Sequence, residues 1–262
     1  MSSIFGHFAR AVARPSPTPA PANLLRSILH KPGMFDLCSV ALQAMNLRYM
    51  KSIHEKKVAA TDSHAAAQEY NAKVTASKLI TTTRRQEEFY KIAGMPSRDV
   101  SKEKLLIVGP RNISELFMAW THGYSWGNIQ GIDLYSTHPK IKVMNMEEMT
   151  FPDGIFDVVT MCLTLGYAKD IKVAVSEVSR VLKPGGRFAF SSTYSPNETS
   201  KWSQEAIFSG EKIREALHEM GMNIYHHTSF EKINADGKKQ TIHAFGAFKE
   251  DPSVQQQDRL LL

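Results

Sequence analysis

The sequence predicts an α/β protein with a doubly wound, mostly parallel sheet, a C-terminal antiparallel hairpin and an N-terminal helical extension. From residue 104 onward, short apolar segments alternate with amphipathic helical segments, which is typical of parallel strands joined by crossover helices. Near the C terminus, two strand-like segments flank Asn234–Gly237, and a short Asp-Gly loop in that setting indicates a β-hairpin. The first hundred residues show only helical patterns, so we expect no strand there.

Five strands form the predicted parallel part of the sheet. Leu105–Val108 is a continuous apolar run ending at Gly109, as expected for a strand buried on both faces. The other four are residues 129–134, 141–144, 156–162 and 187–192, and the hairpin strands are 223–232 and 240–248. Helices are expected at 114–120, 171–182 and 210–220. Lys183–Gly186 should end the second helix, whose expected apolar positions are Val173, Val175, Val178, Val181 and Leu182.

The first 95 residues divide into a tail and a helical accessory region. Residues 1–35 contain four Lys/Arg, no acidic residue and a proline run at 15–21, so we predict a flexible basic tail, with a mitochondrial targeting segment as the alternative. Residues 36–95 are expected to form a helical lid, in which Asp36 is an N-cap and a second helical region at 62–90 stops at Gly94. The expected apolar face of the first lid helix is Leu37, Val40, Ala41, Ala44, Leu47 and Met50.

The α/β domain is expected at residues 96–250, followed by a C-terminal tail at 251–262. Hydrophobic residues make up 42% and charged residues 22% of the 262-residue chain, which is typical of a soluble globular protein without a transmembrane segment. Two cysteines without a paired motif favour a reducing compartment, the cytoplasm or alternatively the mitochondrion, and the scattered histidines predict no metal site.

The net charge of +6 is unevenly distributed. Residues 1–100 contain 14 Lys/Arg against 7 Asp/Glu, whereas residues 101–262 contain 18 against 19. A nucleic-acid enzyme usually concentrates positive charge around its cleft. The basic excess therefore belongs to the accessory segment, and the near-neutral α/β domain weakens the prediction of a nucleic-acid partner.

Polar residues follow three of the predicted parallel strands. In such sheets, ligands bind beyond the carboxyl ends of the strands, where the strand order reverses. A nucleoside cofactor there needs backbone N–H groups after the first strand, a carboxylate for the ribose hydroxyls after the second and a polar side chain for the adenine edge after the third. Gly109, Asp133 and Asn145 stand at these three points, with Asp133 located 24 residues after Gly109.

Two longer segments match known motifs. Residues 143–159 resemble the segment after the third strand in class I S-adenosylmethionine-dependent methyltransferases, and residues 177–187 resemble that family's helix-turn before the fifth strand. The terminal hairpin is similar to the antiparallel sixth and seventh strands of the family. This resemblance covers residues 100–249 and implies a Rossmann-like, seven-stranded sheet that binds S-adenosylmethionine.

The resemblance also implies roles for individual residues. Asp133–Leu134 would bind the ribose, Asn145 would contact the adenine amino group, and Met146 would pack on the adenine face. Cys162 would line the methionine portion of the cofactor. Tyr167 stands where related small-molecule enzymes carry a substrate-facing residue, which makes it the catalytic candidate.

The first loop departs from the family pattern. A loop of the GxGxG type lets the backbone approach the cofactor, but here the loop reads Gly109-Pro110-Arg111-Asn112. Proline has no N–H to donate, and the next two residues are larger than glycine. Three outcomes stay open: Arg111 or Asn112 contacts the cofactor carboxylate, the cofactor is displaced, or the site is degenerate.

These features predict an S-adenosylmethionine-dependent methyltransferase that acts on a small molecule. Tyr167, Tyr194 and His122 are candidates for a general base, which only some acceptors need. A catalytically silent, methyltransferase-like binding or scaffold protein is the main alternative, and an RNA or protein methyltransferase is another. Cys162–Leu165 stands after the fourth strand in place of the Asn/Asp-Pro-Pro-Tyr/Phe motif, which argues against amino methylation of bases.

Overall fold

The computed structural model of this chain describes residues 20–31, 33–46, 48, 56–57, 86–194, 209–233, 237 and 239–253. Its strands are β1 (Lys56–Lys57), β2 (Leu105–Val108), β3 (Ile129–Asp133), β4 (Tyr135–Ser136), β5 (Ile141–Val143), β6 (Phe156–Cys162), β7 (Leu182–Tyr194), β8 (Met222–Ile233) and β9 (Lys239–Lys249). Its α-helices are α1 (Ala20–Leu29), α2 (Met34–Met45), α3 (Glu87–Gly94), α4 (Ile113–Thr121), α5 (Ile171–Val181) and α6 (Gly210–Glu219).

Seven strands form one sheet in the order β5-β3-β2-β6-β7-β9-β8. The first five strands in this order are parallel to one another. β9 is antiparallel to β7, and β8 is antiparallel to β9. The predicted fold class and the terminal hairpin are therefore confirmed, although hairpin residues 234–236 lie outside the described part of the chain. The strands β3 and β5 lie on one side of β2, and the later strands β6 and β7 lie on its other side. The strand order therefore reverses between β2 and β6, and such folds bind ligands at this switch point.

Two hydrophobic clusters cover the two faces of the sheet. Successive side chains of a strand point to opposite faces, and β2 shows this directly. Leu106 and Val108 belong to the cluster beneath α5 and α6, whereas Leu105 and Ile107 belong to the cluster beneath α3 and α4. All four are buried, which explains why β2 is a continuous apolar run rather than an alternating one.

The Lys183–Gly186 segment differs from the expected turn. α5 already ends at Val181, and β7 begins at Leu182, which pairs with Phe156 before the register shifts to Val158 opposite Arg187. The segment is therefore an irregular start of β7 rather than a separate connection. Val173, predicted to be apolar and buried, is exposed on α5, whose buried positions are Ile171, Ala174, Val175, Val178 and Val181.

The N-terminal region contains more structure than the sequence suggested. α1 lies inside the predicted flexible tail, and Pro21 is in its first turn, where a missing N–H breaks no helical hydrogen bond. β1 pairs with β4 in a region where we expected no strand, with Lys57 opposite Tyr135. This short strand depends on a partner almost 80 residues away in the chain, so local sequence patterns could not reveal it.

Within the described residues, the predicted lid consists of two helices, α2 and α3, that differ in their surroundings. α2 begins after Gly33, in a left-handed conformation, so Asp36 lies in the first turn and is not the N-cap. α3 is a core helix, because Phe89, Tyr90 and Ile92 are buried against the sheet and α4. Its end at Gly94 agrees with the prediction, whereas residues 58–85, which contain most of the second predicted helical region, lie outside the described residues.

The buried face of α2 is opposite to the one predicted. Its inward positions are Phe35, Ser39 and Gln43, and the expected apolar position Leu37 is exposed. Ala41 and Ala44 are exposed too, while Leu47 and Met50 lie outside the described residues. The inward side is held by the stacking of Phe35 on Phe117 and by the hydrogen bond from Gln43 to Ser114. None of the helices in the described ranges has the length and apolar content that crossing a bilayer requires.

Candidate functional site

The sheet brings the three predicted strand-end residues to one edge. Gly109 follows β2, Asp133 ends β3 and Asn145 follows β5, and these strands are neighbours in the sheet. Backbone hydrogen bonds tie their ends together, from the Gly109 N–H to the Ile132 carbonyl at 2.8 Å and from the Met144 N–H to the Asp133 carbonyl at 2.9 Å. The edge is therefore one continuous surface made by three separate loops.

Gly109 is required at its position for two reasons. Its φ of +69° is a left-handed conformation that disfavours residues with a Cβ. A Cβ placed there would also lie 2.4 Å from both Cγ2 and Oγ1 of Thr164. Thr164 belongs to the loop after β6, so the first loop and the fourth-strand loop are in close contact across the switch point.

Side-chain hydrogen bonds of Asn112, Glu115 and Gln86 hold the rest of the first loop and the start of α4. Asn112 is the N-cap of α4, and its side-chain oxygen accepts the Ser114 N–H at 2.9 Å. The Arg111 N–H donates to Oε2 of Glu115 at 3.2 Å, and the Gln86 amide donates to the same oxygen at 3.2 Å. Glu115 has 0% exposure, so a buried carboxylate already neutralises the positive N-terminal end of α4.

This arrangement limits what the first loop offers to a ligand. Pro110 is buried and has no N–H, and the N–H of Arg111 is bound by Glu115. The Asn112 amide oxygen serves the helix cap. The half-buried guanidinium of Arg111 is the cationic group of the loop.

Asp133 and Asn145 are half-buried at the edge and start similar turns. Asp133 Oδ1 accepts the Tyr135 N–H at 3.2 Å, and Asn145 Oδ1 accepts the Glu147 N–H at 3.1 Å. These turns hold both side chains at the strand ends. Leu134 is half-buried between β3 and β4, next to the strand that pairs with β1.

Met146 and Cys162 are more deeply placed than the other candidates. Met146 is buried in the cluster that packs under α5. Cys162 is a free thiol buried in the opposite cluster, and the Ser191 hydroxyl contacts its sulfur at 3.8 Å. Both side chains are buried in the hydrophobic core, so any contact that these residues make with a ligand at the edge would come mainly from their backbone.

A clamp holds the segment that follows β5. Arg180 on α5 donates to the carbonyls of Met149 and Phe151 at 2.7 Å each and pairs with Asp153 and Glu177. The hydrogen bond from Arg180 lowers the pKa of the Glu177 carboxyl, which also accepts the Met149 N–H at 2.7 Å. These contacts join the segment after β5 to α5.

Leu163, directly after β6, is strained. It is the only non-glycine residue with positive φ, +54°, in the described part of the chain, and its side chain is exposed. The Ser191 hydroxyl accepts the Leu163 N–H at 3.0 Å and holds this conformation. Strained residues cluster at functional sites, and the sequence carried no signal for this one.

Replacing Leu163 with glycine is expected to stabilise the protein by roughly 1 kcal/mol, because the left-handed conformation carries about that cost for an L-residue. Chemical denaturation would measure the change. Leu163→Ala is the matched control, since it removes the side chain and keeps the strain. If the glycine variant is no more stable than the alanine variant, the strain is not real.

The three candidate bases lie in different places. Tyr167 is half-buried in the short helix Leu165–Tyr167, and Tyr194 is half-buried at the carboxyl end of β7, both beyond the strand ends. His122 as a base is wrong. It is the C-cap of α4, at the opposite end from Asn112, about 13 Å of helix away from the edge.

His122 is instead part of a polar cluster beneath α1. Its Nδ1 donates to the Met118 carbonyl at 3.0 Å, its ring contacts that of His30, and Glu87 lies 3.8 Å from its Nε2. Burial lowers the pKa of His122, and this outweighs the opposing effects of the Met118 hydrogen bond and the Glu87 carboxylate.

This pKa shift predicts a loss of stability in acid. Below the ordinary histidine pKa the unfolded chain binds a proton at His122 that the folded chain does not, so unfolding becomes easier as pH falls. The loss should level off below the folded-state pKa. We expect His122→Gln to reduce the difference in unfolding free energy between pH 7.5 and pH 5.5, measured by urea titration. His227 and His243, whose pKa values are also lowered, would keep the remaining dependence, and an unchanged difference would contradict the assignment.

Sequence reasoning missed several residues that shape the edge. Glu115 had a signal, because Asn112 and Glu115 have the spacing of a capping box, N-cap to N3. Thr164, Ser191 and Gln86 had none, since each acts on a residue from a distant part of the chain.

The chain is similar to known methyltransferases in sequence and fold. Residues 124–190 match the family described as a methyltransferase domain. A stretch of 52 residues is 40% identical to the uncharacterized methyltransferase YcgJ of Bacillus subtilis (strain 168), covering 20% of this chain and 21% of that protein. The match thus spans about a fifth of the curated relative's length.

Two solved structures share the fold. The N-methyltransferase NodS from Bradyrhizobium japonicum WM9, in complex with S-adenosyl-l-homocysteine, has a TM-score of 0.51 at 15% identity, covering 71% of this chain and 98% of that chain. A structure from Bacillus halodurans C-125 has a TM-score of 0.50 at 14% identity, covering 64% and 100%.

Proposed function

We propose that this chain is a class I S-adenosylmethionine-dependent methyltransferase and that it transfers a methyl group to a small-molecule acceptor. The observation that carries the proposal is the common edge of β2, β3 and β5, at which Gly109, Asp133 and Asn145 meet. A carboxylate and an amide at adjacent strand ends suit the hydroxyls and the amino group of a nucleoside.

The residues at this edge fit the nucleoside half of the cofactor. Asp133 would accept hydrogen bonds from the ribose hydroxyls, with Leu134 beside them. Asn145 would contact the adenine edge, and Met146 would lie beneath it. Gly109 lets the first loop lie against the loop after β6, because a Cβ at this position would collide with Thr164.

The amino-acid half of the cofactor meets a different surface. Pro110 has no N–H and the N–H of Arg111 is bound by Glu115, so these two backbone positions do not donate as they would in a GxGxG loop. The Arg111 guanidinium can supply the positive charge that a carboxylate requires. We therefore assign the cofactor carboxylate to Arg111.

Methyl transfer requires few catalytic groups from the protein. When bound, S-adenosylmethionine supplies a sulfonium methyl that is already activated for transfer. Cys162 would line the methionine portion of the cofactor, and the loop at Leu163 and Thr164 would hold the acceptor in line and exclude water. Where the acceptor is a hydroxyl, Tyr167 or Tyr194 would take its proton.

A small-molecule acceptor is supported by charge. Residues 58–262 contain 24 Lys/Arg and 24 Asp/Glu, so the domain has no surplus that would attract a nucleic acid. Free thiols at Cys38 and Cys162 suit the reducing cytoplasm, which we propose as the compartment.

A catalytically silent binding or scaffold protein is the second candidate. It is favoured by the first loop, in which Glu115 occupies the helix N-terminus and Thr164 lies against Gly109. Under this alternative the fold is kept while the cofactor no longer binds.

Calorimetric titration with S-adenosylmethionine separates the two candidates. The enzyme should bind the cofactor and gain thermal stability in its presence. Absence of both heat and stabilisation at millimolar cofactor would favour the silent protein. If binding occurs, incubation with methyl-labelled cofactor and fractionated cell extract tests the acceptor. Label is expected among small molecules, and label in RNA or protein would contradict the proposed acceptor class.

A further inference from the structure

The N-terminal arm, defined here as residues 20–46, packs on the domain through the buried side chains of Leu29 and Phe35 and through polar contacts. The Gln43 amide donates to the Ser114 hydroxyl and the Asn46 amide to the Thr137 hydroxyl, both at 2.9 Å, and all four residues are buried. On α1, Arg26 Nε donates to the Trp120 carbonyl at 3.0 Å, at the C-terminal end of α4. Hydrogen bonds therefore fix the orientation of the arm.

The outward side of the arm is apolar. On α2, Leu37 is 66% and Met45 60% exposed, with exposed Ala41 between them at a spacing of four residues. On α1, Leu24 is 65% exposed. Large aliphatic side chains at helical spacing on the solvent side indicate a surface that another apolar phase covers.

The positive charge of the chain lies in its first 57 residues, of which the arm itself contains Arg26, Lys31 and Asp36. Residues 1–57 contain 8 Lys/Arg and 2 Asp/Glu, so the surplus of six accounts for the whole net charge of +6. Lys31 and Arg48 are exposed at the two ends of α2 and flank the apolar stripe. An occupant of this surface must therefore combine negative charge with an apolar interior.

We propose that the N-terminal arm binds an anionic lipid surface, inserting Leu24, Leu37 and Met45 among the acyl chains. A leaflet rich in phosphatidylserine supplies both features, and amphipathic helices with basic flanks bind such leaflets at the interface. A second copy of the chain would bring two positive arms together, and a nucleic acid would leave the aliphatic side chains in water.

The proposal does not depend on methyl transfer. It does have a consequence for the site, because Asn46 of the arm contacts Thr137, which directly follows β4 and lies four residues after Asp133. Lipid binding would thus bring the edge that carries Asp133 close to the membrane surface, where an amphiphilic acceptor could reach it.

Co-sedimentation of the full chain with vesicles tests this assignment. We expect binding to phosphatidylcholine vesicles that contain phosphatidylserine, weakening as salt is added, and little binding to pure phosphatidylcholine. Replacing Leu24, Leu37 and Met45 with serine should weaken binding by about tenfold or more, since each removes an inserted apolar side chain. The control replaces Phe230 and Ile233, 53% and 70% exposed on β8, with serine and should bind like the parent chain.

Charge is tested separately by Lys31→Ser with Arg48→Ser, which should bind anionic vesicles less tightly and with a weaker salt dependence. Thermal melting of every variant checks that the fold is intact. Equal binding of the arm variant and the parent chain, or equal binding to neutral and anionic vesicles, would overturn the proposal. So would binding to a single-stranded RNA, or dimers abolished by the arm substitutions, in the absence of vesicle binding.

Discussion

Replacing Asp133 with alanine is expected to weaken binding of S-adenosylmethionine by roughly 100-fold, because hydrogen bonds between a carboxylate and two hydroxyls are charge-assisted and a 1.4 kcal/mol loss is tenfold. Asp133 lies at the end of β3, half-buried, between the ends of β2 and β5. Isothermal titration of the parent chain and the variant measures the effect directly.

Two further variants make this result specific. Asp133→Asn keeps an acceptor for the Tyr135 N–H and removes the charge, so we expect a smaller loss of about tenfold. Asp99 is the matched control, because it makes the same kind of turn, accepting the Ser101 N–H at 3.1 Å, but precedes the amino end of β2. Asp99→Ala should bind the cofactor normally. Unchanged affinity in a well-folded Asp133→Ala protein would refute the ribose assignment.

Replacing Gly109 with alanine should destabilise the fold by about 3 kcal/mol, combining the cost of a left-handed residue with overpacking. The new Cβ would meet Thr164 at 2.4 Å, and the φ of +69° would be strained in any case. The loop can relieve the collision only by moving apart from the loop after β6, so cofactor binding should be lost as well. Urea denaturation and calorimetry measure the two effects.

A double-mutant cycle separates collision from backbone strain. Thr164→Ala removes both colliding atoms, at the expense of its hydrogen bond to the Cys162 carbonyl, 3.1 Å long. In the Gly109→Ala background it should restore most of the lost stability, leaving roughly 1–2 kcal/mol from the left-handed conformation. Strictly additive effects would show that the two residues do not press against each other.

The strands of the domain were predictable because their signal is local. Leu105–Val108 and Phe156–Cys162 are buried on both faces of a parallel sheet, so nearly every residue in them must be apolar. Gly109, Asp133 and Asn145 were found for a related reason. Parallel strands end at the same edge, so residues that follow them must approach one another.

The first loop shows a partial success. Its unusual sequence was visible, and Asn112 with Glu115 had a recognisable capping pattern. That the Glu115 carboxylate is buried and shared with Gln86 could not be inferred, since Gln86 is 29 residues away and its approach depends on how α3 packs on α4. The prediction of His122 as a base was wrong for a related reason. α4 begins at the ligand-binding edge and runs away from it, so the residue that ends the helix lies far from the edge.

The N-terminal arm shows where local patterns are overruled. Leu37, Ala41 and Ala44 form an apolar stripe that predicts a buried face, yet Phe35, Ser39 and Gln43 are the residues that α2 buries. The Phe35 ring stacks on that of Phe117 and the Gln43 amide donates to the Ser114 hydroxyl, so contacts with the domain turn this side inward.

Periodicity and strand-end chemistry were thus sufficient for the sheet, the hairpin and the identity of the ligand-binding edge, because each arises from residues that are near in sequence or constrained by strand direction. Contacts between distant segments established the rest: Thr164 against Gly109, Glu115 beneath Arg111, and the outward side of the arm. These depend on how separate elements pack, and packing is a property of the whole chain.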